Sequence, residues 1–183
     1  MTSRRTTFAS VACIFACFAL GLALAGTGNA ARAQDQSVAT AKDTIFARKI
    51  LMATIDRNMD ALEQMVRSGK LIDLDDVTEH ADTISVMLMA FPHLFPPSTD
   101  LWRPNVDRDP GRDTYASPEL WTEFADFYRQ AAAASQLAEA ASRTSAEPDF
   151  KTIMADLRTA CDSCHARLLK VDQAWVDPFP PAH

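Results

Sequence analysis

Apolar residues recur along most of this chain at steps of three and four, which predicts amphipathic helices. Over roughly 41–68 the stripe is Ile45, Arg48, Met52, Ile55, Met59, Leu62 and Val66. A second helix is expected over 74–91, with Val77, Ala81, Ile84, Leu88 and Phe91 on one face. Asp73 is placed to cap it, Asp76 follows three residues later, and Pro92 should end it. A third opens at "SPELW", with Ser117 as the expected cap and Pro118 at the first helical position. Its stripe reads Trp121, Phe124, Tyr128, Ala131, Ala134 and Ala138, with Leu137 alongside, so its later turns are thin enough for close packing. Trp121 and Phe124 read as core aromatics. The fourth begins near Pro148 and runs through Phe150, Ile153, Met154, Leu157, Cys161, Cys164, His165 and Leu168. No stretch alternates as a strand would. The expected fold is all-α, an antiparallel four-helix bundle with a long loop between helices 2 and 3. That loop, residues 92–117, is dense in proline and charge, and loops of this length are often functional. The tail "VDPFPPAH" is too rich in proline for a helix and should lie along the surface.

The first 33 residues change the picture of the domain. Arg4 and Arg5, then "VACIFACFALGLALAG", then Ala31, Arg32 and Ala33 follow the pattern of a cleaved export signal, with Ala30 as a second possible cut. A retained membrane anchor is the alternative, but the apolar run is short for a span. Residues 34–183 are then the folded domain, with 15 basic against 24 acidic residues, a net charge of −9. Such acidity argues against nucleic acid and anionic membrane surfaces as partners and suits docking to a basic protein.

Cys13 and Cys17 leave with the signal, so the exported domain holds two cysteines three residues apart, in "CDSCH". Two cysteines at that spacing make no ordinary disulfide framework. On a helix, Cys161, Cys164 and His165 share one face. C-x-x-C-H is the attachment pattern for c-type haem: two sulfurs form thioethers and the histidine offers a nitrogen to iron. A zinc site is one alternative, but no second cysteine pair completes four ligands, and His80 and His93 have no supporting spacing. A thioredoxin-like dithiol is another, but it normally follows a strand. His183 lies in the tail, and no nucleophile–base constellation points to an enzyme.

A C-terminal C-x-x-C-H on a four-helix exported chain resembles the cytochrome c′ family, including its low-spin relatives. "ARKILMATIDRNMDALEQMVRSGK" looks like the family's first helix, "HLFPPST" like the turn after its second, and "SPELW" like the start of its third. The resemblance implies one covalent haem c per chain, held through Cys161 and Cys164 with His165 as the axial iron ligand. It implies that Arg48, a cation in an apolar stripe, binds a haem propionate; the alternative is that Arg48 snorkels to solvent near a helix end. Lys49, Thr114 and Tyr115 are further candidates at the haem edge. Met52 matches the position over the other haem face. Ligation by its sulfur would give low-spin iron suited to electron transfer; packing alone would leave a site open to NO or CO, and methionine is common here as core filler. After His165 the chain departs from the family, with Leu168 and Leu169 where an aromatic and a basic residue are usual. A periplasmic location, redox partner proteins, a diatomic gas ligand and a homodimer are the further expectations.

Overall fold

The computed structural model describes the backbone of residues 14–170 and the side chains of 36–38 and 40–170. The expected n-region, the cleavage sites' side chains, the "VDPFPPAH" tail and His183 lie outside the described residues. The chain divides into two compact units, Met1–Thr40 and Ala41–His183. Among the described residues there are five α-helices: α1 Ile14–Arg67, α2 Leu74–Ala90, α3 Glu119–Thr122, α4 Phe124–Ser142 and α5 Glu147–Leu168. Helical backbone thus begins well before residue 41, because the alanine- and leucine-rich segment ahead of it is itself a good helix former. No strand forms among the described residues; Ala116 and Leu169 make one isolated antiparallel bridge.

The second unit is a four-helix bundle built from the C-terminal part of α1 with α2, α4 and α5. α1 ends at Arg67, and Gly69 then takes a left-handed φ of 65°, the usual exit from a helix. Asp73 caps α2 as its spacing predicts, accepting from the N–H groups of Asp75 and Asp76. Beyond Ala90 the chain tightens into 3₁₀ turns at Phe91–Leu94 and Pro97–Thr99, so Pro92 is absorbed into a turn after the α-helix has ended.

The main core joins all four helices: Ile55, Met59 and Leu62 from α1, Val77, Ala81, Ile84 and Leu88 from α2, Ala134, Ala138 and Ala141 from α4, and Phe150, Met154 and Leu157 from α5. Small residues on α4 let α2 approach closely. Ser135 Oγ donates to Ser85 O at 2.9 Å, and Thr78 Oγ1 donates to Ser142 O at 2.9 Å. A second cluster, Phe95, Ala116, Leu120, Phe127 and Leu168, closes the other end.

The third helix corrects the expectation. Glu123 departs from helical geometry (φ −113°, ψ 31°) and splits it into the single turn α3 and the long α4. At the start of the expected stripe Phe124 and Tyr128 are exposed and Leu120 and Phe127 are buried in their place, whereas Ala131, Ala134 and Ala138 are buried as expected. Ser117 does not cap α3, which has Pro118 before its first residue and no side-chain cap. Its backbone N–H instead donates to Leu168 O, tying the segment to the end of α5.

Candidate functional site

Between the two clusters lies a cavity of about 210 Å³. Cys161, Cys164 and His165 border it from one turn of α5. Cys161 packs against the main core and Cys164 against the aromatic cluster, so the "CDSCH" turn sits where the two meet. Helix geometry explains the convergence: positions i, i+3 and i+4 fall on one face. The remaining walls are mostly apolar, with Met52, Ile55 and Met59 from α1, Leu88 from α2, and Phe91 and Phe95 from the turns after it.

Both thiols are free and half-buried. Burial pushes the Cys161 thiol up, and pushes Cys164 up to about 11, with the neighbouring Cys161 adding to it. A redox-active dithiol needs the opposite, a lowered thiol beside a cation or helix N-terminus. Among the described residues no group of three or more His, Cys, Asp or Glu side chains stands close enough to hold a metal ion. His165 is an exposed residue that borders the cavity, and desolvation by the surrounding protein holds its imidazole below its ordinary value. That direction favours the neutral form, the one that can donate a lone pair to a metal.

At another part of the wall stands Arg48, 4% exposed. It donates to Thr99 Oγ1 at 3.1 Å and to Thr114 Oγ1 at 2.5 Å, and its guanidinium lies 4.3 Å from the Phe95 ring centroid. Among the described residues no carboxylate pairs with it, and burial lowers its pKa to about 10. Arg48 does not snorkel; it is a buried cation held by neutral groups at the edge of an apolar cavity. Lys49 beside it donates to Pro110 O at 2.9 Å and lies 4.5 Å from the centre of the Tyr115 ring. Thr114 and Tyr115 are buried and border the cavity, as does the half-buried Met52. His80 and His93 stand elsewhere: His80 Nδ1 is 2.7 Å from Asn58 Oδ1, and His93 lies edge-on to Tyr128.

The donors, the apolar walls and the unpaired buried cation together suit a flat apolar group with an anionic edge, bonded to the chain by sulfur. The family model for cytochrome c′ matches residues 43–167. The chain belongs to the cytochrome c′ family. It is therefore a haem c protein, with one covalent haem per chain. Among solved structures, cytochrome c′ from Thermochromatium tepidum is similar at 22% identity and TM-score 0.60, over 71% of this chain and 97% of that one. The Shewanella frigidimarina cytochrome c prime gives 22% and 0.61 over 71% and 96%. The Rhodopseudomonas palustris protein gives 22% and 0.61 over 72% and 98%. No curated protein sequence matches the chain.

Several features of this cytochrome c′ had no signal in the sequence pattern. Asp56 borders the cavity one turn beyond Met52, and Arg158 borders it three residues before Cys161. Arg158 is fixed by Glu63, with Nε to Oε1 at 2.6 Å. Gln130 is a further polar group on the wall, from α4. The departures after His165 have a structural counterpart. Leu168 and Leu169 border the cavity, while Arg167 pairs with Glu123 and Asp126, and Lys170 stands 3.9 Å from Glu119. The cation on the cavity wall of α5 is thus Arg158, ahead of the motif and not behind it.

Proposed function

We propose that this cytochrome c′ is an exported, periplasmic one-electron carrier whose haem is held by Cys161 and Cys164, with His165 as one axial ligand. The observation that carries the reading is that Met52, a thioether, borders the same cavity as the "CDSCH" turn. Bound haem c supplies an iron that takes up and returns a single electron, at a potential tuned by its axial ligands and surroundings. The chain's contribution is positional. Apolar walls exclude water, the neutral imidazole of His165 offers its nitrogen, and Arg48, with Thr114 and Tyr115 beside it, receives a propionate. Export rests on the first 33 residues; among the described residues no helix is long and apolar enough to cross a membrane. The net acidity of residues 34–183 fits a redox partner with a basic docking face.

A second reading has its own support. Met52 also packs against the main core, which would commit its sulfur to filling space and leave the iron's other face open to NO or CO. An optical spectrum of the exported protein decides between them, since low-spin features follow from sulfur ligation and high-spin features from its absence. In a low-spin protein, Met52→Ala is expected to convert the ferrous spectrum to high-spin. An unchanged spectrum would remove Met52 from the iron.

Arg48→Met should lower the midpoint potential, because losing a buried cation favours the more positive, oxidised iron. It should also cost about 1–3 kcal/mol by stripping a donor from two buried hydroxyls. A redox titration that finds no change would separate Arg48 from the haem edge.

A further inference from the structure

The loop between α2 and α3 divides into two parts of different character. Thr99 and residues 114–117 are buried, whereas most of residues 103–112 are exposed, with Asn105 at a positive φ of 56°. The buried part is paired with the end of α5: Lys170 N donates to Tyr115 O at 2.8 Å and Ser117 N to Leu168 O at 2.9 Å. The exposed part is tied to α1 by polar contacts. Lys42 pairs with Asp113 at 3.1 Å and Arg112 with Asp43 at 3.1 Å, both near the surface. Inside them Lys49, 7% exposed, donates to Pro110 O and covers the Tyr115 ring. Around Asp109 a compact turn keeps its own shape, with Asp113 N donating to Asp109 O at 2.8 Å and Gly111 N to Asp109 Oδ1 at 2.8 Å.

We propose that residues 103–113 form a flap hinged at the half-buried Trp102 and the buried Thr114, and that Lys49 is its latch, so that breaking the Lys49–Pro110 contact uncovers Tyr115. The flap is a unit that can lift without unfolding, because its internal bonds survive the motion. Segments with few apolar contacts and mostly polar ties open first. The outer ion pairs contribute little, since exposed pairs are worth about 0–1 kcal/mol. The latch is different in kind: it is buried, it satisfies a carbonyl that faces α1, and its stem lies on an aromatic ring.

Tyrosine chemistry reads this directly, because Tyr115 and Tyr128 are the two tyrosines of the chain and Tyr128 is 45% exposed. In the full-length, haem-loaded protein, tetranitromethane should nitrate Tyr128 and spare Tyr115. Lys49→Met keeps bulk over the ring but removes the donor, so it should raise Tyr115 nitration about tenfold, the loss of one buried hydrogen bond. Tryptic cleavage after Arg112 should quicken in parallel. Lys49→Arg, which still reaches the carbonyl, should restore protection. Equal nitration of Tyr115 in wild type and Lys49→Met overturns the latch, as does an equal gain in Lys42→Met. Haem absorbance on the same samples tests the cofactor reading separately: a chain lacking covalent haem that still shields Tyr115 defeats that reading and leaves the latch standing.

Discussion

Replacing Cys161 and Cys164 together by alanine is expected to abolish covalent haem, leaving a polypeptide whose intact mass after export is that of the chain alone. Each cysteine by itself has a bland reading, since half-buried thiols commonly serve as small apolar side chains. Three observations weigh against it here. Both thiols border one cavity with His165, neither is in a disulfide, and burial raises both, so neither is poised for redox exchange. A thioether carries no thiol proton, so the raised values are no obstacle to a sulfur that ends up alkylated. The single variants should each retain haem through the remaining sulfur, with an altered ferrous absorption band. His165→Ala should behave differently again, keeping both thioethers while losing the axial nitrogen. Haem that stays covalently bound in the double variant would overturn the assignment of these two sulfurs. Haem that is absent from the wild type after export through a competent maturation system would overturn the larger reading.

What the sequence made legible depends on how local each feature is. The buried face of α2 could be read at Val77, Ala81, Ile84 and Leu88 because a helix repeats every 3.6 residues, and all four are in the core. Arg48 stood out for the same reason, as a charge where the period demands an apolar group. The "CDSCH" turn needs only five consecutive residues. By contrast Phe95 sits just past a 3₁₀ turn, where no period marks it, although its ring packs edge-on against Phe91 and Phe127 and at a tilt against Trp121. Thr99 and Thr114 are 51 and 66 residues from the arginine they satisfy, a pairing that only the assembled fold defines. Glu123 misled only the start of the third helix, where a one-residue break leaves composition and spacing nearly unchanged; past it the expected Ala131, Ala134 and Ala138 are buried. Tertiary packing, not propensity, selected Phe127 over Tyr128.

Phe150→Ala is expected to destabilise the bundle by about 3–5 kcal/mol, measured by chemical denaturation followed through far-UV circular dichroism. Phe150 is fully buried, in the first turns of α5, among residues from all four bundle helices. Removing its ring takes apolar surface out of contact and leaves a space that helices α1, α2 and α4 cannot all close at once. Tyr128→Ala, on an exposed face of α4, should change stability by less than about 0.5 kcal/mol. The haem should separate these effects from the site. Phe150 lies 11 residues before Cys161 along one helix, about 16 Å at 1.5 Å per residue, and is not part of the cavity wall. Below its unfolding transition the variant should therefore keep the wild-type absorption spectrum and midpoint potential. A spectrum that shifts while the protein is still folded would mean that the two clusters share their strain, so that the main core sets the iron's surroundings through the length of α5. An unshifted spectrum with the full loss of stability would show the bundle acting as a rigid frame in which the packed core and the cavity beside "CDSCH" are energetically separable.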